Sequence, residues 1–219
     1  MKLFDETSYR QGIEHLSQAD QDLQSVIERY GPPPEWTREP GFATLVRIIL
    51  EQKVSLAAAA AVYRRLLSLI GPLTPENFVL QPEDRLYALG VSRRKIIYCR
   101  ELARSIIDQQ LDLRGLTCLS DQEAIAELKK IKGIGQWTAT IYLLMCLRRL
   151  DVWPLGDLAL IQAVSHLKGI DHDRARLETI SDPWRPYRSI AARICWHYYL
   201  RHPTLRGPKG KPGPAIASA

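Results

Sequence analysis

From residue 8 to residue 30 polar positions are interrupted by Ile13, Leu16, Leu23, Val26 and Ile27, a partial helical stripe. Gly31-Pro32-Pro33-Pro34 stops that helix. Phe42 to Leu50 presents a solidly apolar helical face, and Leu56 to Ile70 is alanine-rich and helical until Gly71-Pro72 ends it. Pro75 and Pro82 each suit the first turn of a short helix. Ser92 can cap a helix running to about Gln110, and Asp121 opens another through Lys130. Trp137 to Arg149 follows a tight Gly-x-Gly turn, and Pro186 precedes a last long helix ending near Arg201. No segment alternates as a strand would and no stretch repeats. The pattern predicts an all-α fold of many helices joined by short loops, and 219 residues fit one large domain or two small lobes sharing a core.

Hydrophobic residues make up 46% of the 219, enough to bury a sizeable core. No apolar run reaches the roughly 18 residues that a membrane span needs. Met1 to Arg10 is polar and charged, without the apolar centre of a signal peptide. A soluble cytoplasmic protein with no membrane contact is therefore expected, at the nucleoid in a bacterium or in the nucleus of a eukaryote. The net charge of +6 invites a nucleic-acid partner. However, Arg201, Arg206, Lys209 and Lys211 carry four of those charges with no acidic residue among them, which leaves the body at only +2. Residues 207–219, rich in Gly, Pro, Lys and Ala, read as a flexible basic tail. Cys99, Cys118, Cys146 and Cys195 include no CxxC pair, which argues against zinc or an iron–sulfur cluster. Each sits among apolar neighbours and reads as a buried, reduced thiol.

The most informative stretch is Leu128-Lys-Lys-Ile-Lys-Gly-Ile-Gly-Gln-Trp-Thr-Ala139. One helix runs into Gly133-Ile134-Gly135 and another leaves it. Two glycines permit turns closed to other residues and leave no side chain over the backbone amides. Those amides open the next helix, where an anion such as a DNA phosphate is favoured. Ile134 between them would plug the turn into the core. Taken alone, a Gly-x-Gly between helices is also an ordinary glycine-capped turn.

Ile131-Lys-Gly-Ile-Gly-Gln-Trp-Thr-Ala139, followed by Asp151-Val-Trp-Pro-Leu-Gly-Asp157-Leu, resembles the helix-hairpin-helix glycosylase superfamily, and within it the 3-methyladenine DNA glycosylase II type. Leu50-Glu-Gln-Lys-Val-Ser55 resembles the helix start that carries the DNA-probing residue. Trp184-Arg-Pro-Tyr-Arg-Ser-Ile-Ala191 resembles the start of the final helix. The resemblance covers roughly residues 40 to 200. It implies a glycosylase domain over residues 1–206, with lobes of roughly 35–120 and 1–34 plus 121–206.

Composition alone makes Asp157 a helix cap; the resemblance makes it the catalytic aspartate. Cleaving an N-glycosidic bond builds positive charge on the deoxyribose, which a fixed carboxylate stabilises while water attacks. Bifunctional relatives carry a lysine where this chain has Trp137, so the resemblance implies a monofunctional enzyme that leaves an abasic site. It also implies that Trp137 and Trp196 stack the flipped base, although both equally suit core positions at helical spacing. Relatives often place an aromatic four residues past the hairpin tryptophan, where this chain has Ile141, with Tyr142 next.

Gln52 and Lys53 fall where the family probes the stack, with lysine where relatives carry Leu or Gln. Lys132, Gly133, Ile134 and Gly135 are the implied phosphate-binding residues, and Ser55 is expected to cap its helix. The resemblance implies no required cofactor, with Na⁺ or K⁺ as a structural ion on backbone carbonyls near Lys130 and Gly133. Arg93, Arg94 and Lys95 form a basic cluster that either touches DNA or is merely solvated. The expected partner is double-stranded DNA bearing alkylated bases, met by a monomer. A glycosylase for deaminated or oxidised bases, a non-catalytic hairpin module and a plain helical scaffold remain the competing readings.

Overall fold

A computed structural model describes residues 4–170 and 174–205. The expected basic tail, with Arg206, Lys209 and Lys211, lies outside the described residues. Among those described there are twelve α-helices and no β-strand: α1 Glu6–Ala19, α2 Gln21–Tyr30, α3 Phe42–Glu51, α4 Leu56–Ile70, α5 Pro75–Val79, α6 Glu83–Ala88, α7 Arg93–Ile107, α8 Asp121–Lys129, α9 Gln136–Met145, α10 Leu158–Lys168, α11 Arg174–Thr179 and α12 Arg188–Arg201. The all-α prediction holds, and most predicted starts coincide with real caps. Ser92 accepts from the Lys95 amide, Ser55 from that of Ala58, and Ser120 forms a capping box with Glu123 ahead of α8.

Three boundaries differ, each for a local reason. The stripe over residues 8–30 is two helices, because Asp20 adopts an extended conformation and accepts from the amides of Asp22 and Leu23 to start α2. Pro82 is the N-cap of α6 rather than part of its first turn. The helix from the hairpin ends at Met145 rather than Arg149, where Arg148 takes a left-handed conformation. Arg149 is then almost wholly buried, donating to the carbonyls of Leu116, Thr117 and Leu119. The periodicity also fails to announce α10 and α11. Cys118 is exposed, against the expectation that all four thiols are buried; Cys99, Cys146 and Cys195 are interior.

α5 and α6 pack on α7, which packs on α3, and α3 on α4. α1, α2 and α10 gather around α12, and α8 lies on α9. The two neighbourhoods meet where α3 packs on α9, and one buried apolar cluster runs through both. α12 is buried almost all round, so polar side chains inside it need partners. Arg193 finds them in the carbonyls of Glu35, Ser189 and Leu144.

Asp20 is the tie between the ends of three elements. Besides capping α2, its carboxylate accepts from Lys168 Nζ at the end of α10 at 2.6 Å and from the buried Trp184 indole at 2.8 Å. Burial alone would raise its pKa, but the bonds from Lys168, Trp184 and the Leu23 amide outweigh it and hold the carboxyl below the ordinary value of 3.8. A lowered native pKa means that this stabilisation is present above the unfolded value and lost as pH falls through the folded one. Asp20→Ala should cost about 2–4 kcal/mol, from the lost cap and an unsatisfied buried indole. Thermal denaturation should show the drop at neutral pH, and the variant should lose less stability than the wild type on acidification below 3.8.

Candidate active site

A cavity of about 880 Å³ opens between the end of α3, the starts of α4 and α7, the Gly-x-Gly turn and the start of α10. Asp157, Trp137, Gln52, Lys53, Gly133 and Gly135, all predicted from sequence, lie on its wall. Residues separated by up to 105 positions in the chain are thus gathered around one space.

The loop from Leu150 to Asp157 is fixed mainly by the start of α12. Arg188 grips the Asp151 carboxylate through Nε at 2.8 Å and its carbonyl through a terminal nitrogen at 2.6 Å. Ser189 both donates to the Val152 carbonyl and accepts from its amide, at 3.1 Å each. Trp153 packs edge-on against Trp184 with ring centroids 5.2 Å apart. Gly156 takes φ +94°, a conformation that side chains disfavour, and turns the chain so that Asp157 enters the cavity wall.

Asp157 is 4% exposed and receives three N–H donors. Oδ1 accepts from the Leu160 amide at 2.9 Å, making it the N-cap of α10, and from the Trp196 indole at 3.1 Å. Oδ2 accepts from the Trp137 indole at 3.0 Å. The helix-cap reading and the functional position are therefore compatible. Burial raises the carboxyl pKa; the three donors pull the other way without cancelling it. Among the described residues Asp157 has no salt-bridge partner. It is an oriented, desolvated carboxyl group which, when ionised, suits a transient positive charge in front of it.

Trp196 corrects the sequence reading. Its ring is fully buried and is absent from the cavity wall, so it offers no face for stacking. Its indole N–H is committed to Asp157, which makes it a positioning residue. Trp137, half-buried on the wall, remains available as a stacking surface. Ile141 and Tyr142 are buried, with the Tyr142 hydroxyl accepting from the Gly41 amide; neither replaces the missing family aromatic.

At the turn, Gly133 has φ +96°, and a Cβ there would lie 2.1 Å from the Tyr98 ring, so glycine is required twice over. Gly135 has an ordinary extended conformation; what its missing side chain provides is open space. The amides of Gly133, Gly135 and Gln136 donate to no acceptor among the described residues, and Lys132 is exposed beside them. Ile134 is 4% exposed and its amide donates to the Ile131 carbonyl. It plugs the turn as predicted, but grouping it with the phosphate contacts is not supported, because its amide is already used.

The probing segment is also partly committed. Gln52 Nε2 donates to the Gly133 carbonyl and to Thr138 Oγ1, each at 2.9 Å, clasping α3 to the hairpin. Lys53 is exposed at the cavity edge with φ +57°, a strained conformation for a residue with a side chain. Tyr98, Lys95, Arg94 and Leu158 also line the cavity. Sequence reading gave Tyr98 and Leu158 no role; the spacing of Tyr98 from Arg94 on one helix was the available signal for the former. Leu158 is 55% exposed, a large apolar side chain at the lip beside Asp157.

The family model described as HhH-GPD superfamily base excision DNA repair protein matches residues 46–186, which span the probing turn, the hairpin and Asp157. An alkylbase DNA glycosidase-like protein of Schizosaccharomyces pombe is 26% identical over 90% of this chain and 97% of its own length. Among solved structures, a 3-methyladenine DNA glycosylase of the same yeast bound to abasic DNA superimposes with a TM-score of 0.77, at 26% identity, over 86% of this chain and 95% of that one. A DNA-3-methyladenine glycosidase of Bacillus halodurans gives 0.73 at 32% identity over 91% and 93%. The chain belongs to the HhH-GPD superfamily of base excision DNA repair proteins.

Proposed function

We propose that this protein is a DNA glycosylase that takes an alkylated base of the 3-methyladenine or 7-methylguanine type out of duplex DNA and hydrolyses its N-glycosidic bond. The observation that carries the reading is Asp157: a buried carboxylate on a cavity wall, held by three N–H groups and without a salt-bridge partner among the described residues. Its field stabilises the deoxyribose cation as the base departs, and water completes the reaction. The names of the relatives point the same way, since they are described as acting on alkylated bases or 3-methyladenine.

The cavity's polar groups favour alkylated bases over those that must be read by hydrogen bonds. Gln52 is engaged with the hairpin, Lys95 with the Leu50 carbonyl, Ser92 with its own helix and Asp157 with its three donors. Trp137, Val54, Leu56 and Leu158 add apolar and aromatic surface to the wall, while the charged Lys53 and Arg94 are exposed. Such a pocket discriminates weakly by shape and leaves selection to the lability of the bond, which alkylation weakens. A cationic purine also gains from the Trp137 ring. Main-chain carbonyls of Lys130 and Lys132 accept no hydrogen bond among the described residues, whereas that of Gly133 takes Gln52. Those open oxygens fit a monovalent cation, which would reinforce the phosphate grip of the turn.

Wild-type protein should release free 3-methyladenine and 7-methylguanine from methylated duplex DNA. Asp157→Asn should lower single-turnover release by at least about a hundredfold, the scale of losing one preorganised electrostatic group. Its melting temperature should not fall in parallel, because the variant removes a buried charge that burial disfavours. No release by wild type, with abasic and oxidised or deaminated substrates bound but unchanged, would overturn the enzymatic reading. The reaction needs the ionised carboxylate and its pKa is raised, so activity should fail on acidification at a midpoint above the ordinary 3.8, measured as single-turnover rate against pH. With indole in place of an amine at residue 137, borohydride should trap no covalent complex with abasic DNA; a trapped adduct would show strand-nicking chemistry instead.

A further inference from the structure

Three cations stand in succession at the start of α7, and none of them forms a salt bridge among the described residues. Each is held by a neutral partner. The Arg93 guanidinium lies 5.4 Å from the Tyr87 ring centroid, and Lys95 donates to the Leu50 carbonyl at 2.7 Å. Arg94 lies 5.5 Å from the Tyr98 ring centroid and also donates through Nε to the Tyr98 hydroxyl. Like charges packed together without carboxylates cost stability, and such an arrangement points to an anion supplied from outside.

Arg94 is the one of the three that is both exposed and on the cavity wall. Its Nε is spent on Tyr98, and its two terminal amino groups donate to nothing among the described residues. Tyr98 is itself immobilised, because its ring lies against the Cα of Gly133, close enough to exclude any side chain there. Arg94 is therefore joined through one rigid ring to the same turn whose amides of Gly135 and Gln136 stand open. A planar guanidinium with two free amino groups matches a phosphate bidentately, and fixing the side chain beforehand removes part of the entropy cost of binding.

We propose that Arg94, locked on Tyr98, is a second backbone-phosphate contact that acts with the hairpin on one DNA strand, at the mouth of the cavity. This inference rests on the reading of duplex DNA as substrate. It also assigns Gly133 a further role, since any larger residue there would displace Tyr98 and release Arg94.

The test is the salt dependence of binding to a duplex carrying a tetrahydrofuran abasic analogue, measured by fluorescence anisotropy between low and physiological salt. Arg94→Gln should make the slope of log affinity against log salt shallower by about 0.9, with a loss of roughly fivefold near ~0.15 M salt. Arg94→Lys should keep the slope while binding more weakly, having charge but no ring-held fork. Tyr98→Phe should fall between wild type and Arg94→Gln in affinity. Arg104→Gln, an equal loss of charge on an exposed residue of the same helix about 15 Å further along, should change the slope much less. A slope for Arg94→Gln equal to that for Arg104→Gln, with both variants folded by circular dichroism, would overturn the proposal. Absence of salt-dependent binding by the wild type would instead remove the DNA reading on which it stands.

Discussion

A carboxylate buried without a salt-bridge partner among the described residues is the constraint around which the rest of this molecule is arranged. An isolated charge taken out of water is costly, and Asp157 survives there only because three N–H groups from three separate helices converge on it. Leu160 contributes its amide because Asp157 caps α10, and Trp137 and Trp196 contribute indoles from α9 and α12. Removing water strengthens the field that an ionised carboxylate exerts on any positive charge in front of it. The same burial raises its pKa, so the site trades some stability and some acid tolerance for that field.

Much of the interior then serves to hold the carboxylate still. The loop that delivers Asp157 is fastened by Arg188 to Asp151, by Ser189 to Val152, and by Trp153 to Trp184. Trp184 in turn donates to Asp20, whose other oxygen holds Lys168 at the far end of α10. The helix that Asp157 caps is thus anchored at its other end, too. Buried Arg193 fastens three carbonyls through three different nitrogens, and Arg149 draws those of Leu116, Thr117 and Leu119 onto one terminal amino group, a geometry that suits a rigid wall better than a mobile one.

The opposite wall is built for an anionic, deformable partner. Overall the chain is only modestly basic, but Lys53, Lys132 and Arg94 stand exposed in one neighbourhood with open main-chain amides. Concentrating charge in this way focuses field on the phosphate backbone without making the whole surface adhesive. The left-handed conformation at Lys53 stores strain at the edge of the cavity. Gln52, clasped to the hairpin, links that strained turn to the Gly-x-Gly turn with its open amides, so register at one determines placement at the other.

Local chemistry is what the sequence by itself determined. Capping residues, prolines and apolar stripes located most helices, and the Gly-Ile-Gly turn and Asp157 were legible because short-range backbone rules and ordered motifs act within a few residues. The break at Asp20 was missed because the side chain that ends one helix and starts the next draws its strength from Lys168 and Trp184, far away in the chain. Tertiary structure alone decided that Trp196 faces inward as a donor rather than outward as a stacking surface, since helical spacing gives a face but not what covers it. It alone decided that Gly133 is demanded by Tyr98, thirty-five positions earlier, while Gly135 is demanded by nothing in the chain and only leaves room. The desolvation of Asp157 and the raised pKa it causes were likewise invisible in the sequence, because desolvation is a property of everything that packs around a group and not of its neighbours along the chain.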